Sequence, residues 1–331
     1  MSLEKYYLGI DVGSVSINLV LMNERQKIVD KLYVRTEGKP IPILKKAMED
    51  LSLRNGENIK ISGVGVTGSG RDLAAVMVGA DVIKNEITAH GVAVLTFYPD
   101  VRTVIEIGGQ DSKIIIIRNG VVSDFAMNTV CAAGTGSFLD RQAARLNIPI
   151  EEFGEMALRS KSPVRIAGRC AVFAESDMVH KQQMGCPPED IIRGLCEALV
   201  RNYLSNVGKG KEILPNIVFQ GGVAANQGIR AAFEEALGYE VMVPEHYDVM
   251  GAIGVAILAQ KEVERKGSTS FRGIENMKQD FKARTFECQD CPNSCEIVEF
   301  KADDKTLARW GDRCGKWAMK IEEKSELRSL A

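Results

Sequence analysis

The stretch YYLGIDVGSVSINLVLMN, residues 6–23, consists of two apolar runs joined by a short turn of Gly and Ser residues. A second stretch of the same design, TVIEIGGQDSKIIIIRNG, occupies residues 103–120. In each stretch the apolar runs are rich in β-branched residues, which favours strands, and the Gly-containing turn favours a hairpin. Segments with helix and strand patterns follow each hairpin. This coarse internal duplication predicts an α/β protein built of two similar lobes.

The segments after the two hairpins define the remaining predicted elements. We predict helices at 43–51 and 86–95, a strand at 61–67, a strand–turn–helix at 216–237 with its helix starting near Ala225, and a long helix at 248–265. The predicted units are therefore a first lobe at 1–102, a second lobe at 103–265, a polar linker with a little helix at 266–287, and a Cys-rich tail at 288–331.

Composition narrows the class of protein. The chain has 331 residues, of which 45% are apolar and 26% charged, as in ordinary globular proteins. The net charge of −2 gives no electrostatic argument for nucleic acid or an anionic membrane as a partner. No apolar run approaches the ~18 residues that a membrane-spanning helix needs, and the N-terminus leaves no room for a signal peptide. We expect a cytoplasmic protein, in which eight cysteines favour metal binding or redox chemistry over disulfides.

Each hairpin carries an Asp at its turn, Asp11 in GIDVGSVS and Asp111 in IGGQDSK. The glycines beside them let the backbone come close to a ligand, so that successive N–H groups can surround phosphate oxygens. Ser14 and Ser16 can add hydroxyl contacts. A carboxylate at that point suits a hydrated Mg²⁺ shared with the phosphates. The plainer alternative is two tight hairpins with Asp in ordinary turn positions.

A third element favours the nucleotide interpretation. In FQGGVAANQGI a strand ends at Gly221-Gly222 and a helix follows, which is suited to a loop packed against a nucleoside. The P-loop and dinucleotide fingerprints do not occur in the required setting. Two Asp-bearing hairpins followed by this turn resemble the superfamily of actin, sugar kinases and heat-shock ATPases over residues 5–262. That resemblance implies two ribonuclease-H-like lobes that close over Mg-ATP.

Two cysteines stand where helices are predicted to begin. Cys131 lies in NTVCAAGTGSFLD and Cys170 in AGRCAVFAESDMVH, 39 residues later. A helix N-terminus carries about half a positive charge, which stabilises a thiolate or an anionic metal–thiolate centre. Two thiols do not complete a four-thiolate site, but a symmetric dimer that supplies two from each chain does. The alternative is two buried cysteines that serve as small core residues.

These cysteine segments, together with IEIGGQDSK upstream, resemble the activators of 2-hydroxyacyl-CoA dehydratases, a family that includes benzoyl-CoA reductase ATPase subunits and reductases of double-cubane-cluster proteins. The resemblance implies a homodimer that shares one [4Fe–4S] cluster, held by Cys131 and Cys170. It also implies ATP-driven transfer of a low-potential electron from a ferredoxin- or flavodoxin-like donor to a partner iron–sulfur enzyme, which could be a dehydratase, an aryl-CoA reductase or a double-cubane protein. Asp11 and Asp111 become the catalytic carboxylates. The implied ATP/ADP contacts are Gly13, Ser14, Val15, Ser16, Gly108, Gly109, Gln110, Gly221, Gly222 and Val223.

The tail contains C-x2-C-x3-C-x18-C, formed by Cys288, Cys291, Cys295 and Cys314. EIVEF and TLARW are predicted to pair as strands around KADDK, which returns Cys314 to the neighbourhood of Cys295. A unit of 44 residues is too small for an adequate core and usually needs a metal. Spacing does not decide between Zn²⁺ and a second [4Fe–4S] cluster, and the iron–sulfur context favours the cluster slightly.

The remaining cysteines and histidines are predicted to have no metal role, with His180 either structural or solvated. Cys196 lies in an amphipathic run and is expected in the core, whereas Cys186 is expected in a loop. His90, His180 and His246 show no metal-ligand spacing.

The alternative function is a small-molecule kinase of the same superfamily. A kinase needs a catalytic Asp beside the substrate hydroxyl, and the sequence shows no third carboxylate in a recognisable motif. A kinase would also leave the placement of Cys131 and Cys170 unexplained.

Overall fold

The computed structural model describes residues 4–56, 59–128 and 130–317. Its strands are β1 Tyr6–Val12, β2 Ser16–Asn23, β3 Ile28–Arg35, β4 Ile61–Thr67, β5 Val82–Ile83, β6 Thr103–Ile107, β7 Ser112–Arg118, β8 Val121–Asn128, β9 Ile217–Gln220, β10 Val241–Met242, β11 Phe281–Glu287, β12 Glu296–Ala302 and β13 Lys305–Trp310. Its α-helices are α1 Pro40–Asn55, α2 Arg71–Val78, α3 Glu86–Phe97, α4 Gly136–Leu146, α5 Ile150–Leu158, α6 Ala171–Gln183, α7 Pro188–Asn206, α8 Gln227–Leu237 and α9 Met250–Lys266.

The first two sheets have one topology, which confirms the predicted duplication. The first has the order β3–β2–β1–β4–β5 and the second the order β10–β9–β6–β7–β8. In each sheet the opening hairpin and the third strand pair antiparallel, the fourth strand joins the first in parallel, and the fifth joins the fourth in parallel. The central strands β1, β2, β6 and β7 are largely buried on both sides, because both faces of each sheet are covered there. The predicted α/β class with two ribonuclease-H-like lobes is confirmed.

Helices α3 and α9 lie between the two sheets. One buried cluster joins residues of β1, β2, β6, β7 and β9 to both helices. The backbone of α9 lies so close to the first sheet that a Cβ at Gly9 would be 1.8 Å from the Ala252 carbonyl oxygen. A Cβ at Gly65 would be 2.1 Å from that of Val255. The end of the chain segment predicted as the second lobe therefore packs on the sheet of the first.

The third sheet, β11–β12–β13, packs against the outer side of the first lobe. Phe281 and Phe300 are buried and stacked, with ring centroids 5.7 Å apart, in the cluster that also contains α1 and α2. The Asn276 amide donates to the Met77 carbonyl at 2.7 Å. Residues 281–287, predicted as part of the linker, form strand β11. Its side chains are mostly exposed and polar, so the strand is specified by pairing with β12 rather than by its own pattern.

No helix in residues 4–56, 59–128 and 130–317 is both long enough and apolar enough to cross a membrane. The part of the predicted tail from residue 318 onward lies outside the described residues.

Candidate functional site

The two Asp-bearing turns and the GG turn meet in one cleft between the lobes. The predicted residues that line it are Asp11, Gly13, Ser14, Val15, Ser16, Gly108, Gly109, Gln110, Asp111, Gly221 and Gly222. Val223 is buried just behind this surface, where one of its methyl groups faces Gly136. The residues came from three distant segments of the chain. The duplicated topology brings them together, because the hairpin turns of both sheets point toward the space between the lobes.

The first turn holds its carboxylate in a narrow slot. The Gly13 N–H donates to the Ser16 carbonyl at 2.9 Å and closes the turn. A Cβ at Gly251 would lie 2.3 Å from Asp11 Oδ2, and one at Gly68 would lie 2.6 Å from Oδ1. Both positions therefore need glycine, because any side chain there would collide with the Asp11 carboxylate.

The second turn is closed by the Gly108 N–H, which donates to the Asp111 carbonyl at 3.0 Å. Gly109 faces the first turn across the cleft, and a Cβ there would lie 2.6 Å from a methyl carbon of Val15. The two lobes therefore touch at the tips of their turns.

The GG turn completes the cleft on the side of the second lobe. Gly221 has a φ of 89°, a conformation that favours glycine, and its N–H donates to the Tyr247 carbonyl at 2.8 Å. A 3₁₀ turn covers Gly222–Ala225, and α8 begins at Gln227 rather than at Ala225. The Asn226 side chain caps α8 by accepting from the Ile229 N–H at 3.1 Å.

A buried lysine organises the floor of the cleft. Lys113 Nζ lies 2.7 Å from Glu86, 2.9 Å from Glu106 and 2.9 Å from Asp111. Burial opposes its charge, but these three carboxylates raise the pKa of Lys113 overall, so it stays protonated. With Asp11, four carboxylates face one ammonium group. The cleft therefore has an excess of negative charge that a divalent cation would neutralise.

The titration behaviour of the cleft reflects that imbalance. Burial raises the pKa of Asp11 to about 7, helped by Glu86 and Asp111 and opposed by Lys113. Burial also raises the pKa of Glu106 to about 7 against the effect of Lys113. Burial and the nearby Lys113 charge lower the pKa of His90 to about 3. The His90 ring is therefore neutral, and its Nδ1 lies 2.8 Å from the Gln220 amide nitrogen.

Sequence reasoning missed Glu86, His90, Glu106 and Lys113. A signal existed for two of them: Glu106 and Lys113 are charged residues inside apolar strands and stand directly opposite each other in the β6–β7 register. Glu86 begins α3 and reaches the cleft only through the packing of that helix between the sheets. The sequence shows no third carboxylate in a recognisable motif, but the structure places Glu86 and Glu106 in the cleft with Asp11 and Asp111.

The donor set of the cleft fits Mg²⁺ bound together with phosphate. Mg²⁺ in nucleotide sites is held by one or two carboxylates, phosphate oxygens and several waters rather than by a complete protein cage. Within the described residues, no group of three His, Cys, Asp or Glu side chains is arranged to hold a metal on its own. Asp11 and Asp111, on opposite turns, are the carboxylates available for a hydrated ion.

Cys131 and the segment that leads into Cys170 both contact Asn202 in the second lobe. Cys170 is the N-cap residue of α6, and Cys131 precedes a 3₁₀ turn, Ala132–Gly134, that leads into α4. The Asn202 amide nitrogen lies 3.7 Å from Cys131 Sγ and donates to the Gly168 carbonyl at 2.6 Å, two residues before Cys170. Both thiols are partly exposed rather than in the core. The alternative of two buried core cysteines therefore does not hold.

The other cysteines and histidines occupy the predicted settings where these are described. Cys196 is fully buried, and burial raises the pKa of its thiol to about 12. Cys186 lies in the loop between α6 and α7. His180 is exposed on α6. His90 is the exception, because it lines the interlobe cleft.

The four tail cysteines lie at one end of the third sheet. Cys288 and Cys295 flank the loop between β11 and β12, and the Cys288 N–H donates to the Cys295 carbonyl at 2.8 Å. β13 runs back beside β12, and a Cβ at Gly311 would lie 2.3 Å from the Glu296 carbonyl oxygen, so Cys314 follows at the same end. The Trp317 indole N–H points at Cys288 Sγ at 3.2 Å. A metal site formed by these cysteines stays a prediction.

Two lobes of identical topology around a cleft lined by paired Asp-bearing turns define an ATPase of the actin, sugar-kinase and heat-shock superfamily. The model of the BadF/BadG/BcrA/BcrD ATPase family matches residues 8–259, and the chain belongs to this family.

Relatives are similar over most of the chain. The (R)-2-hydroxyglutaryl-CoA dehydratase activating ATPase of Acidaminococcus fermentans is 33% identical over 264 residues, which cover 78% of this chain and 99% of that protein. The 2-hydroxyisocaproyl-CoA dehydratase activator of Clostridioides difficile is 34% identical, with 78% and 96% covered. A solved structure of the Clostridium difficile activator with bound ADPNP has a TM-score of 0.72 at 32% identity and covers 79% of this chain and 97% of that one. About a fifth of the present chain thus lies outside these relatives.

Proposed function

We propose that this ATPase is a homodimeric electron-transfer component. A low-potential electron from a reduced ferredoxin- or flavodoxin-like donor would pass through a [4Fe–4S] cluster shared by two subunits to a partner iron–sulfur enzyme, coupled to ATP hydrolysis. The observation that carries the proposal is the position of Asn202, which contacts Cys131 Sγ and the Gly168 carbonyl two residues before Cys170, in the lobe that carries the second phosphate turn. The ligand roles of these cysteines rest on their sequence context and on these contacts.

The surface around the two thiols supports a shared site. Val130 has 94% of its surface exposed, Val172 68% and Phe173 67%, and each lies within three residues of one of the cysteines. Exposed apolar residues clustered at one place mark a surface that is covered in the working assembly. A second copy related by a two-fold axis would bury the same patch on both chains and bring four thiols together.

The residues fit the group that the proposal needs. Cysteine thiolates are the usual ligands of [4Fe–4S] clusters, and the N-terminus of α6 favours negative charge at Cys170. The Asn202 amide can donate to the Cys131 sulfur, and hydrogen bonds to sulfur are among the factors that set a cluster's potential. When bound, the cluster would supply one-electron chemistry. Cys131 and Cys170 would anchor it, and the neighbouring apolar side chains would limit its contact with water.

The cleft supplies the ATP side of the proposal. Asp11 and Asp111 would hold a hydrated Mg²⁺, and the turn N–H groups and the serine hydroxyls would surround phosphate oxygens. The electron acceptor would be a 2-hydroxyacyl-CoA dehydratase, an aryl-CoA reductase or a double-cubane-cluster protein. Similarity to activators of two different dehydratases supports the first of these.

We further propose a metal, Zn²⁺ or a second [4Fe–4S] cluster, bound by Cys288, Cys291, Cys295 and Cys314. Their position at one end of the third sheet and the Trp317 N–H at Cys288 Sγ support this site. The third sheet packs on the outer side of the first lobe, whereas Cys131 and Cys170 lie in the second lobe. That separation favours a structural role for the tail metal over a direct electron relay.

The test of the main proposal is replacement of Cys131 or Cys170 by Ser in anaerobically purified protein, with Cys186→Ser as the matched control. Wild type and control should be brown and dimeric, and the two test variants should lose the intersubunit iron while still binding nucleotide. Full iron at the dimer interface in either test variant would refute the ligand assignment. A colourless wild type that releases ADP only with an added alcohol or sugar would favour the kinase.

A further inference from the structure

Helix α4, which follows Cys131, contacts the second phosphate turn directly. The Gly136 N–H donates to the Gly108 carbonyl at 2.9 Å, and the Ser137 N–H donates to the Gly109 carbonyl at 2.8 Å. The Ser137 hydroxyl donates to the same Gly109 carbonyl at 2.5 Å. The N–H groups at a helix start have no partner within the helix. In α4 two of them donate to the turn that would hold phosphate.

The middle of α4 reaches the first lobe. Both terminal guanidinium nitrogens of Arg35 lie 3.3 Å from Asp140 Oδ2. Arg35 ends strand β3 and stands opposite Ser16 of the first phosphate turn. The two side chains are 61% and 39% exposed, so the pair adds little to stability and can open and close without unfolding the protein. The Arg35–Asp140 pair therefore connects α4 to the first lobe while that lobe moves.

The C-terminal half of α4 forms ion pairs with α6, the helix that follows Cys170. Arg141 lies 3.1 Å and Arg145 2.5 Å from the Glu175 carboxylate on α6, the helix capped by Cys170. At the near end, the Asn128 side chain accepts from the Cys131 N–H at 2.9 Å and donates to the Cys131 carbonyl at 2.8 Å. The segment between Cys131 and α4 is thus fixed at one end by Asn128 and at the other by the phosphate turn.

We propose that Ser137 and Asp140 are positioning residues through which α4 converts lobe closure on nucleotide into a displacement of the Cys131 and Cys170 segments. Ser137 connects α4 to the second phosphate turn through the Gly109 carbonyl, and Asp140 connects α4 to the first lobe through Arg35. This inference rests on the proposed function. It adds the element that links the ATP cleft to the thiols and the residues on which that link depends.

The experiment uses the full-length dimer and compares Ser137→Ala with Ser137→Thr, which keeps a hydroxyl, and with Ser176→Ala as the control. Ser176 is a helix serine whose hydroxyl donates to a carbonyl of its own helix, at Val172, so its loss leaves the phosphate turn untouched. Iron loss to a chelator is timed with and without nucleotide, and nucleotide affinity is measured separately. In Ser137→Ala the nucleotide-dependent ratio of chelation rates should fall roughly two- to tenfold, with cluster content and binding retained.

The Arg35–Asp140 contact is tested by charge exchange. Asp140→Arg should reduce the same ratio by up to roughly fivefold, and the double variant Arg35→Asp with Asp140→Arg should restore it. An unchanged ratio in both Ser137→Ala and Asp140→Arg would overturn the proposal.

A second readout does not need the cluster. Amide hydrogen exchange of residues 131–138 should slow on nucleotide addition in wild type and respond much less in Ser137→Ala. An equal response in both proteins would overturn the role of Ser137. A wild type without iron that still shows this exchange response would refute the proposed electron transfer but not the link through α4, so the two failures are distinguishable.

Discussion

The phosphate turn at Gly13–Ser16 and the one at Gly108–Asp111 close with the same backbone hydrogen bond, at 2.9 and 3.0 Å, yet their surroundings differ. Asp11 sits between two glycine backbones and has no ion pair within the described residues. Asp111 pairs directly with the buried Lys113. The second turn also carries α4 on its carbonyls, whereas in the first turn the Val15 carbonyl accepts from the Thr36 N–H at 2.8 Å. Similar local sequences therefore acquire different tasks: one turn offers an uncompensated carboxylate, and the other connects the cleft to the cysteine segments.

The largest expected effect tests the charge network of the second turn. Lys113→Met would leave Glu86, Glu106 and Asp111 without their shared counter-charge, and removing one partner of a buried ion pair costs about 3–5 kcal/mol. Urea unfolding should show this loss. The control Lys266→Met removes an exposed helix pair with Glu262 and should change stability far less, because solvent screens exposed pairs. Similar losses in both variants would mean that the network does not stabilise the cleft.

Next in size is the effect of each carboxylate on ATP hydrolysis. Asp11→Asn and Asp111→Asn should each lower the rate by roughly 10²–10³, or about 2–4 kcal/mol of transition-state stabilisation, since an amide is a poorer partner for hydrated Mg²⁺. Steady-state ADP release with excess Mg²⁺ measures this. Iron content should not change in either variant. Wild-type turnover in both would show that neither turn acts on phosphate.

A smaller effect compares the glycines of the two turns. Gly109→Ala places a Cβ 2.6 Å from a Val15 methyl carbon on the facing turn, whereas a Cβ at Gly13 meets the Ser16 carbonyl oxygen at 3.2 Å. Overpacking typically costs about 1–3 kcal/mol, so Gly109→Ala should hold the lobes apart and weaken nucleotide binding more than Gly13→Ala does. Calorimetric titration with ADP checks the order. The reverse order would mean that the two turns do not meet when nucleotide binds.

The smallest expected effect concerns pH and the first turn alone. The folded-state pKa of Asp11 is raised from 3.8 to about 7, so folding favours its protonated form and the wild type loses stability as pH rises from about 4 to about 7. Asp11→Asn does not titrate there. Without nucleotide or Mg²⁺, it should be more stable than wild type above pH 7 by about 1–2 kcal/mol, reduced by the open cleft, and equal near pH 4. Thermal unfolding across this range would contradict the argument if the difference were constant.

The hairpins, the GG turn and the cysteines at helix starts could all be found from sequence, because each depends on local patterns of apolar, glycine and helix-initiating residues. The predicted strand at 61–67 matches β4, and the predicted helix at 86–95 matches α3 except for its last turn. Strand β11 was missed because most of its side chains are exposed and its apolar alternation is weak, so that only its pairing with β12 specifies it. Glu86 was missed because the sequence around it predicts only the start of a helix and gives no sign that this helix start lines the cleft.

The sequence by itself determined the duplicated α/β design, the glycine-rich turns with their Asp residues, and the context of Cys131 and Cys170. Only the tertiary structure decided that three carboxylates share one ammonium group, that α9 packs on the first sheet, and that α4 rests on the second phosphate turn. The physical reason is range. Backbone propensity and turn chemistry act over a few neighbouring residues, whereas the charge of a buried group and the contacts of a helix start are set by chain segments tens of residues away.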